Sequence, residues 1–335
     1  MAFMKKHDPV TAFDAIEATP VSIDILVEIL TYRRSARSEG DEALIDNLIM
    51  PLDPTVDAYG NLFVSIGKAP SVAFTAHTDT VHRDTAINPR LTQTLSIENG
   101  LIELADPGKG DVLGADDGTG IWVLLNLIEA GVEGLYCFFR DEEIGRLGSE
   151  WSIKHEPERY TGIDMMLSFD RMGTTDIITH QMGDRCCSEL FATHIADAID
   201  RQCEPDPTGS FTDSCSFMDT ISECTNICVG YYDQHSSLES QDLTWVAYLV
   251  NRLIAMEWNA VPAERDPTEV QMPMLDGYDM ADMDLSDILY MYPDEAAYIL
   301  ETFMGMTQAD MVDAVSELHT VESGNALLSP GANLT

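Results

Sequence analysis

The sequence predicts an α/β fold with a largely parallel sheet. Short runs rich in β-branched and aromatic residues alternate with longer stretches of helical periodicity, and no internal repeat or low-complexity tract interrupts that alternation. Size agrees with this. With 335 residues, 45% of them hydrophobic, the chain can bury a core for one large α/β domain or two smaller ones.

The elements follow in chain order. Residues 22 to 49 carry apolar positions at helical spacing in two pieces, broken near Ser38-Glu39-Gly40, which read as two helices. DAYGNLFVSIG leaves a Tyr-Gly-Asn turn as a strand, and SVAFTAHTDTV begins as a second one with small and β-branched residues. GIWVLLNLIEAG, from Gly120, reads as a buried helix stopped by Gly131. LYCFFRDEE is a core strand running into acids, and MMLSFD (165–170) and TNICVGYYD (225–233) are two more strands. After Trp258 the character changes. From Glu264 to Thr335 there are 15 acids against the single Arg265, with Pro267, Pro273 and Gly277 forming a linker. Pro293, Gly305 and Thr307 then punctuate two helical runs, SDILYMYPDEAAYILETFMG and TQADMVDAVSEL. The expected organisation is a main domain over residues 20–260 and an acidic linker with a helical extension over 264–335. Methionines and aromatics in that extension suit packing on the main domain, or contact with an oligomer or partner.

Composition removes several function classes. A net charge of −40, from 58 acids against 18 basic residues, opposes phosphate binding, so nucleic acid is not an expected partner even though the C-terminal helix pair has a helix-turn-helix outline. Only five of the basic residues are lysines, a balance found in proteins of very salty cytosol. The N-terminal stretch MAFMKKHDPV has no apolar core, and no later run is long enough to span a bilayer, so no membrane association or export is expected. Seven cysteines, an odd number including the adjacent Cys186-Cys187, suit reduced thiols and a cytoplasmic location.

The chemistry gathers at strand ends. Asp79, Asp116, Glu142-Glu143, Asp170 and His235 all fall at or just past the C-terminal end of an expected strand, where open α/β sheets place ligands. In HTDTV, residues two apart on a strand face the same way, so His77 and Asp79 point together. That pair suits a metal ligand held from behind by a carboxylate, and equally a hydrogen-bonded histidine at an ordinary strand end. In LGADDGTG, glycines let the backbone approach closely while Asp116 and Asp117 stand at a helix start, where capping is the simpler reading. A phosphate loop would need a Gly-Lys-Ser/Thr ending that is absent. In FFRDEEIGRLGS, three consecutive acids either solvate as a loop or share a cation that relieves their repulsion. Carboxylates with two imidazoles suit zinc, or cobalt or manganese in the same geometry, and an odd shared carboxylate suits a pair of such ions.

Together, HTDTV, GADDGTG, DEEIG, the strand-end Asp170 and the late His235, with DAYGNLF upstream, resemble the co-catalytic zinc exopeptidases, the clan containing the glutamate carboxypeptidase and peptidase T family and the aminopeptidase family (M20 and M28). The resemblance covers roughly residues 22–258. It implies a three-layer α/β/α domain with a mostly parallel mixed central sheet. It implies two divalent metal ions, with Asp116 bridging them, His77 and Asp170 completing one site, and Glu143 and His235 the other. Glu142 would be the general base for the water between the metals, and Asp79 would orient His77. Gly118 stands where the carboxypeptidase-type family carries lysine, and the 64 residues between Asp170 and His235 are too few for that family's inserted lid domain. The layout is therefore expected to be M28-like. GSFTDSCSF resembles the segment that lines the pocket there, with Thr212, Asp213 and Ser214 as substrate contacts. His82, His180 and His194 remain rival ligands, His82 as a rim residue.

The function these readings favour is hydrolysis of a peptide or small amide by an exopeptidase, aminopeptidase-like because an acidic rim attracts an α-amine. A deacylase or other amidohydrolase would use the same groups. A metal-binding module without catalysis would have no need of Glu142.

Overall fold

A computed structural model of the chain describes residues 19–83, 92–107 and 111–268. These residues belong to the first of two units, Met1–Met272, the second being Pro273–Thr335. The helical extension expected after the linker lies outside the described residues.

Six α-helices and fourteen strands are formed among the described residues. The helices are α1 (Ile23–Thr31), α2 (Glu39–Leu44), α3 (Ala115–Glu129), α4 (Leu147–His155), α5 (Glu189–Ile199) and α6 (Leu243–Ile254). Up to the chain's middle the strands are β1 (Thr55–Val56), β2 (Leu62–Ile66), β3 (Val72–His77), β4 (Leu95–Glu98), β5 (Leu101–Leu104), β6 (Gly134–Phe139) and β7 (Met165–Arg171). They continue with β8 (Asp176–Ile178), β9 (His180–Gln181), β10 (Asp184–Arg185), β11 (Glu204–Asp206), β12 (Glu223–Cys228), β13 (Tyr231–Tyr232) and β14 (Ser240–Asp242).

The central sheet has the order β1-β2-β6-β3-β7-β12-β8-β11. Its middle four strands, β6, β3, β7 and β12, run parallel, while β1 and β2 at one edge and the β12–β8 junction are antiparallel. Every residue of β3 and β6 is buried, as parallel strands covered on both faces require. The pleat separates two aromatic layers. Phe74 packs on Tyr136, Phe169 and Trp258 on one face, and Phe139 packs on Phe63 and Phe217 on the other. Removing the Phe74 ring would cost about 3–5 kcal/mol on that account. The result is the expected α/β fold with a mostly parallel mixed sheet.

Four local details differ from the sequence expectation. The first two helices are separated by residues 32–38, not by a break at 38–40. Ser22 and Ser38 each accept a hydrogen bond from a first-turn amide and so fix the two starts. The strand ends at His77: the Thr78 amide makes the last ladder bond, to Phe139 O on β6, and the Thr80 amide then leaves the sheet for Arg34 O. The stretch 225–233 is not one strand. It leaves the central sheet after Cys228, turns at Gly230 (φ 89°), where a Cβ would collide with the Trp245 ring, and enters a second sheet as β13. That second sheet, β13-β14-β5-β4, contains the hairpin β4–β5, which the sequence reading passed over. Asn99 and Gly100 both have positive φ at its turn, the pairing that Asn-Gly between apolar residues signals.

Candidate metal centre

The carboxyl ends of β3, β6 and β7 open on one side of the sheet, and each delivers its group from a different local device. His77 is the last residue of β3. Its amide donates to Asp117 Oδ2 at 3.0 Å and its Nδ1 contacts the Asp79 carbonyl at 3.1 Å. Asp116 lies at the start of α3, where the Asp116–Asp117 peptide is cis and both residues have non-helical backbone. Asp117 then caps the regular turns by accepting from the Gly120 amide, and a side chain at Gly120 would occupy the place of that carboxylate. After β6, Asp141 adopts positive φ and turns toward Arg37 and Tyr59 Oη, 2.8 and 2.7 Å away. Of the three consecutive acids, only Glu142 and Glu143 therefore face the sheet end. Asp170 near the end of β7 is held by Asn226, whose side chain accepts from its amide and donates to its carbonyl, and by the Tyr231 hydroxyl, which donates to Oδ1 at 3.1 Å. His235 follows β13 in the second sheet, also at positive φ.

Two donor groups result, sharing one residue. His77, Asp116 and Asp170 form the first, and Asp116, Glu143 and His235 the second. Asp116 turns Oδ1 toward His77 Nε2 (3.2 Å) and Oδ2 toward His235 Nε2 (3.1 Å). Asp170 Oδ1 is 3.7 Å from His77 Nε2, Glu143 Oε1 is 3.2 Å from His235 Nε2, and Glu142 Oε2 stands 4.0 Å from His77 Nε2. Asp116, Glu142, Glu143, Asp170 and His235 line a cleft of about 330 Å³ bounded also by Val81, Met172 and Phe211.

The electrostatics suit cations. Burial and the neighbouring Asp170, Asp213 and Glu143 push the Glu142 carboxyl up to about 9 against the pull of His77. Burial likewise raises Glu143 and Asp170, each further raised by Asp116. Asp116 is the opposite case: burial would raise it, but His235 and His77 on either side outweigh burial and hold it low. Four carboxylates thus face two imidazoles, and His77 Nε2 has no aligned hydrogen bond despite the carboxylates around it. A donor set of imidazole nitrogen and carboxylate oxygen, too acidic to neutralise itself, fits two borderline or hard divalent ions.

The structure thus brings together His77, Asp116, Glu142, Glu143, Asp170 and His235. It changes the part given to Asp79. Its carboxylate accepts from the amides of Glu142 (3.0 Å) and Glu143 (3.2 Å) while standing 3.6 Å from His77 Nδ1, so it positions the acid pair as well as the imidazole. Thr212, Asp213 and Ser214 are buried, and Ser214 is bonded to Thr225 O and Gln181. The residues of that segment lining the cleft are Ser210 and Phe211. His82 is not on the rim. It is buried, its Nδ1 accepts from the Arg34 amide, and its Nε2 faces Val112 O and Gln93. Neither His82, His180 nor His194 belongs to either donor group.

Two buried residues escaped the sequence reading. Glu239, four residues after His235, accepts from the amides of Gly114 (2.9 Å) and Asp116 (3.1 Å), tying the His235 loop to the shared carboxylate. Arg34, fully buried, donates to Thr78 O and Gly114 O and so joins the turns after β3 and before α3. The signal available for both was a charged residue inside an otherwise apolar or turn context, which does not reveal its partner.

No family model and no curated protein matches the sequence. Solved structures of the same fold do. Among them are the TET1 peptidase of Pyrococcus horikoshii (18% identity, TM-score 0.54, 70% of this chain and 98% of that one) and the aminopeptidase PepT of Bacillus cereus (14%, 0.55, 70% and 98%). A third is the aminopeptidase APDkam598 of the archaeon Desulfurococcus kamchatkensis (14%, 0.53, 75% and 96%). At these identities the likeness establishes a shared fold.

Proposed function

We propose that this chain is a metal-dependent amide hydrolase of the co-catalytic exopeptidase type, acting as an aminopeptidase on peptides. The observation that carries the reading is the split of Asp116 between two donor groups, with Glu142 beside them and not needed by either. His77, Asp116 and Asp170 would hold one divalent ion and Asp116, Glu143 and His235 the other, zinc being the ion this donor set fits best. Such a pair, when bound, polarises the scissile carbonyl and makes water a stronger nucleophile at neutral pH. The chain's own part is positional and protic. Asp79 fixes the backbone that carries Glu142, Glu142 takes the proton from the attacking water, and the same carboxyl returns it to the leaving amine. The surplus of carboxylates at the cleft favours a substrate entering with its α-ammonium group first. The solved aminopeptidases that share the fold support the same reading.

The test separates binding from turnover. Glu142→Ala should leave two metal ions per chain by elemental analysis while hydrolysis of aminoacyl amides falls by roughly 10²–10⁴-fold. Near-native hydrolysis in that variant would remove Glu142 as the base, and hydrolysis confined to N-acyl amides would convert the reading to a deacylase.

A further inference from the structure

Beside the donor groups the cleft has a wall that the reaction itself does not use. Met172 and Phe211 line it with 39% and 43% of their surfaces exposed, together with Val81 and the buried Tyr231. Of the large apolar side chains exposed among the described residues, Met172 and Phe211 are the two that line this cleft, and exposed apolar groups that adjoin a cleft mark a binding surface. Gly145 also lines the cleft, with open space where a side chain would stand.

The charged residues nearby are already committed. Arg171 lines the cleft, but its Nε and Nη2 lie 3.3 and 3.1 Å from Asp176 Oδ2, and Nη2 also donates to Thr208. Arg146 pairs with Glu150 and lays its guanidinium 5.2 Å from the centre of the Phe211 ring, which fixes the ring at the wall. The acids lining the cleft are Asp116, Glu142, Glu143 and Asp170, all turned toward the imidazoles. An acidic side chain would meet an arginine that is already paired, and a basic one would meet no further carboxylate. About 330 Å³ lies at the small end of ligand cavities and suits one large residue better than an extended peptide.

We propose that the wall formed by Val81, Met172, Phe211 and Tyr231 selects substrates whose N-terminal residue carries a large apolar side chain, of leucine, methionine or phenylalanine size. This rests on the hydrolase reading above. Met172 and Phe211 are the specificity-determining residues, because they are exposed and contribute no donor atom to either group.

Two measurements test it. With the metal-loaded protein, kcat/KM for leucine, methionine and phenylalanine amides should exceed that for glutamate and lysine amides by at least about 10-fold, the scale that apolar pockets reach. Met172→Ala combined with Phe211→Ala should lower kcat/KM on the phenylalanine substrate by about 10-fold or more, and lower it less on alanine amide. Titration calorimetry of the metal-loaded Glu142→Ala protein with the same amides reads binding without turnover, and should give the same order. A preference for glutamate or lysine amides would overturn the inference while leaving hydrolysis intact. Apolar preference in calorimetry with no hydrolysis by the wild-type protein would uphold the wall and overturn the proposed reaction instead.

Discussion

The two donor groups share Asp116 but are built differently. His77 ends a central strand, has 1% of its side chain exposed, and is held through both its backbone amide and its Nδ1. His235 sits in a loop after a two-residue strand, with 48% of its side chain exposed. Its loop is fixed indirectly, by Glu239 gripping the amides of Gly114 and Asp116. One half of the centre is therefore part of the core and the other is attached to it. Removing a group from the first half should disturb the fold, and removing one from the second should disturb the centre alone.

The largest expected effect comes from His77. Without added metal, His77→Ala leaves Asp170 buried without its cationic partner and Asp116 with His235 alone, a loss of about 3–5 kcal/mol, whereas His235→Ala removes a half-exposed imidazole and leaves Asp116 paired with His77, for a loss of about 1 kcal/mol. Urea unfolding of both variants measures this, and equal losses would erase the contrast between the halves. Next comes Glu239, which links them. Glu239→Ala strands two buried amides but relieves the burial of a carboxylate, for a net cost of about 1–3 kcal/mol, and should weaken metal binding by roughly 10–100-fold. Metal affinity unchanged in Glu239→Ala would show that the His235 loop holds itself.

An effect on the core side depends on pH and vanishes near neutrality. Burial, with Arg34 and Arg33 close by, lowers the His82 pKa to about 3, so the folded protein keeps this imidazole neutral while the unfolded chain binds a proton below about pH 6.5. The unfolded state then holds more protons, and stability falls as pH falls from about 6.5 toward 3, by about 1.4 kcal/mol per pH unit. His82→Gln should flatten the stability profile by that slope between pH 4 and 6. A variant whose profile parallels the wild type would mean that the histidine charges in place.

Much of this arrangement was legible in the chain. Gly131 stops α3, the buried runs at 134–139 and 165–171 are strands, and the acids and histidines at their ends converge because parallel strands open on one side. What was not legible shares a cause. Period-two alternation placed Asp79 beside His77, but the strand had already ended, and the Asp79 carboxylate meets two amides more than sixty residues away. Three acids in a row did not show which would turn away from the sheet end until Arg37 and Tyr59 claimed Asp141. Thr212, Asp213 and Ser214 gave no sign that the chain would fold them beneath the cleft and leave Phe211 at its wall.

By itself the sequence determined the elements and the chemical types at their ends, because helical and strand periodicities and turn residues act over a few positions. Only the tertiary structure decided which oxygen of Asp116 faces which imidazole, which acids are neutralised by arginines, and that Arg34 and Glu239 brace the centre. Those outcomes depend on partners far apart in the chain, brought within hydrogen-bonding distance by sheet order and burial, and local sequence carries no record of them.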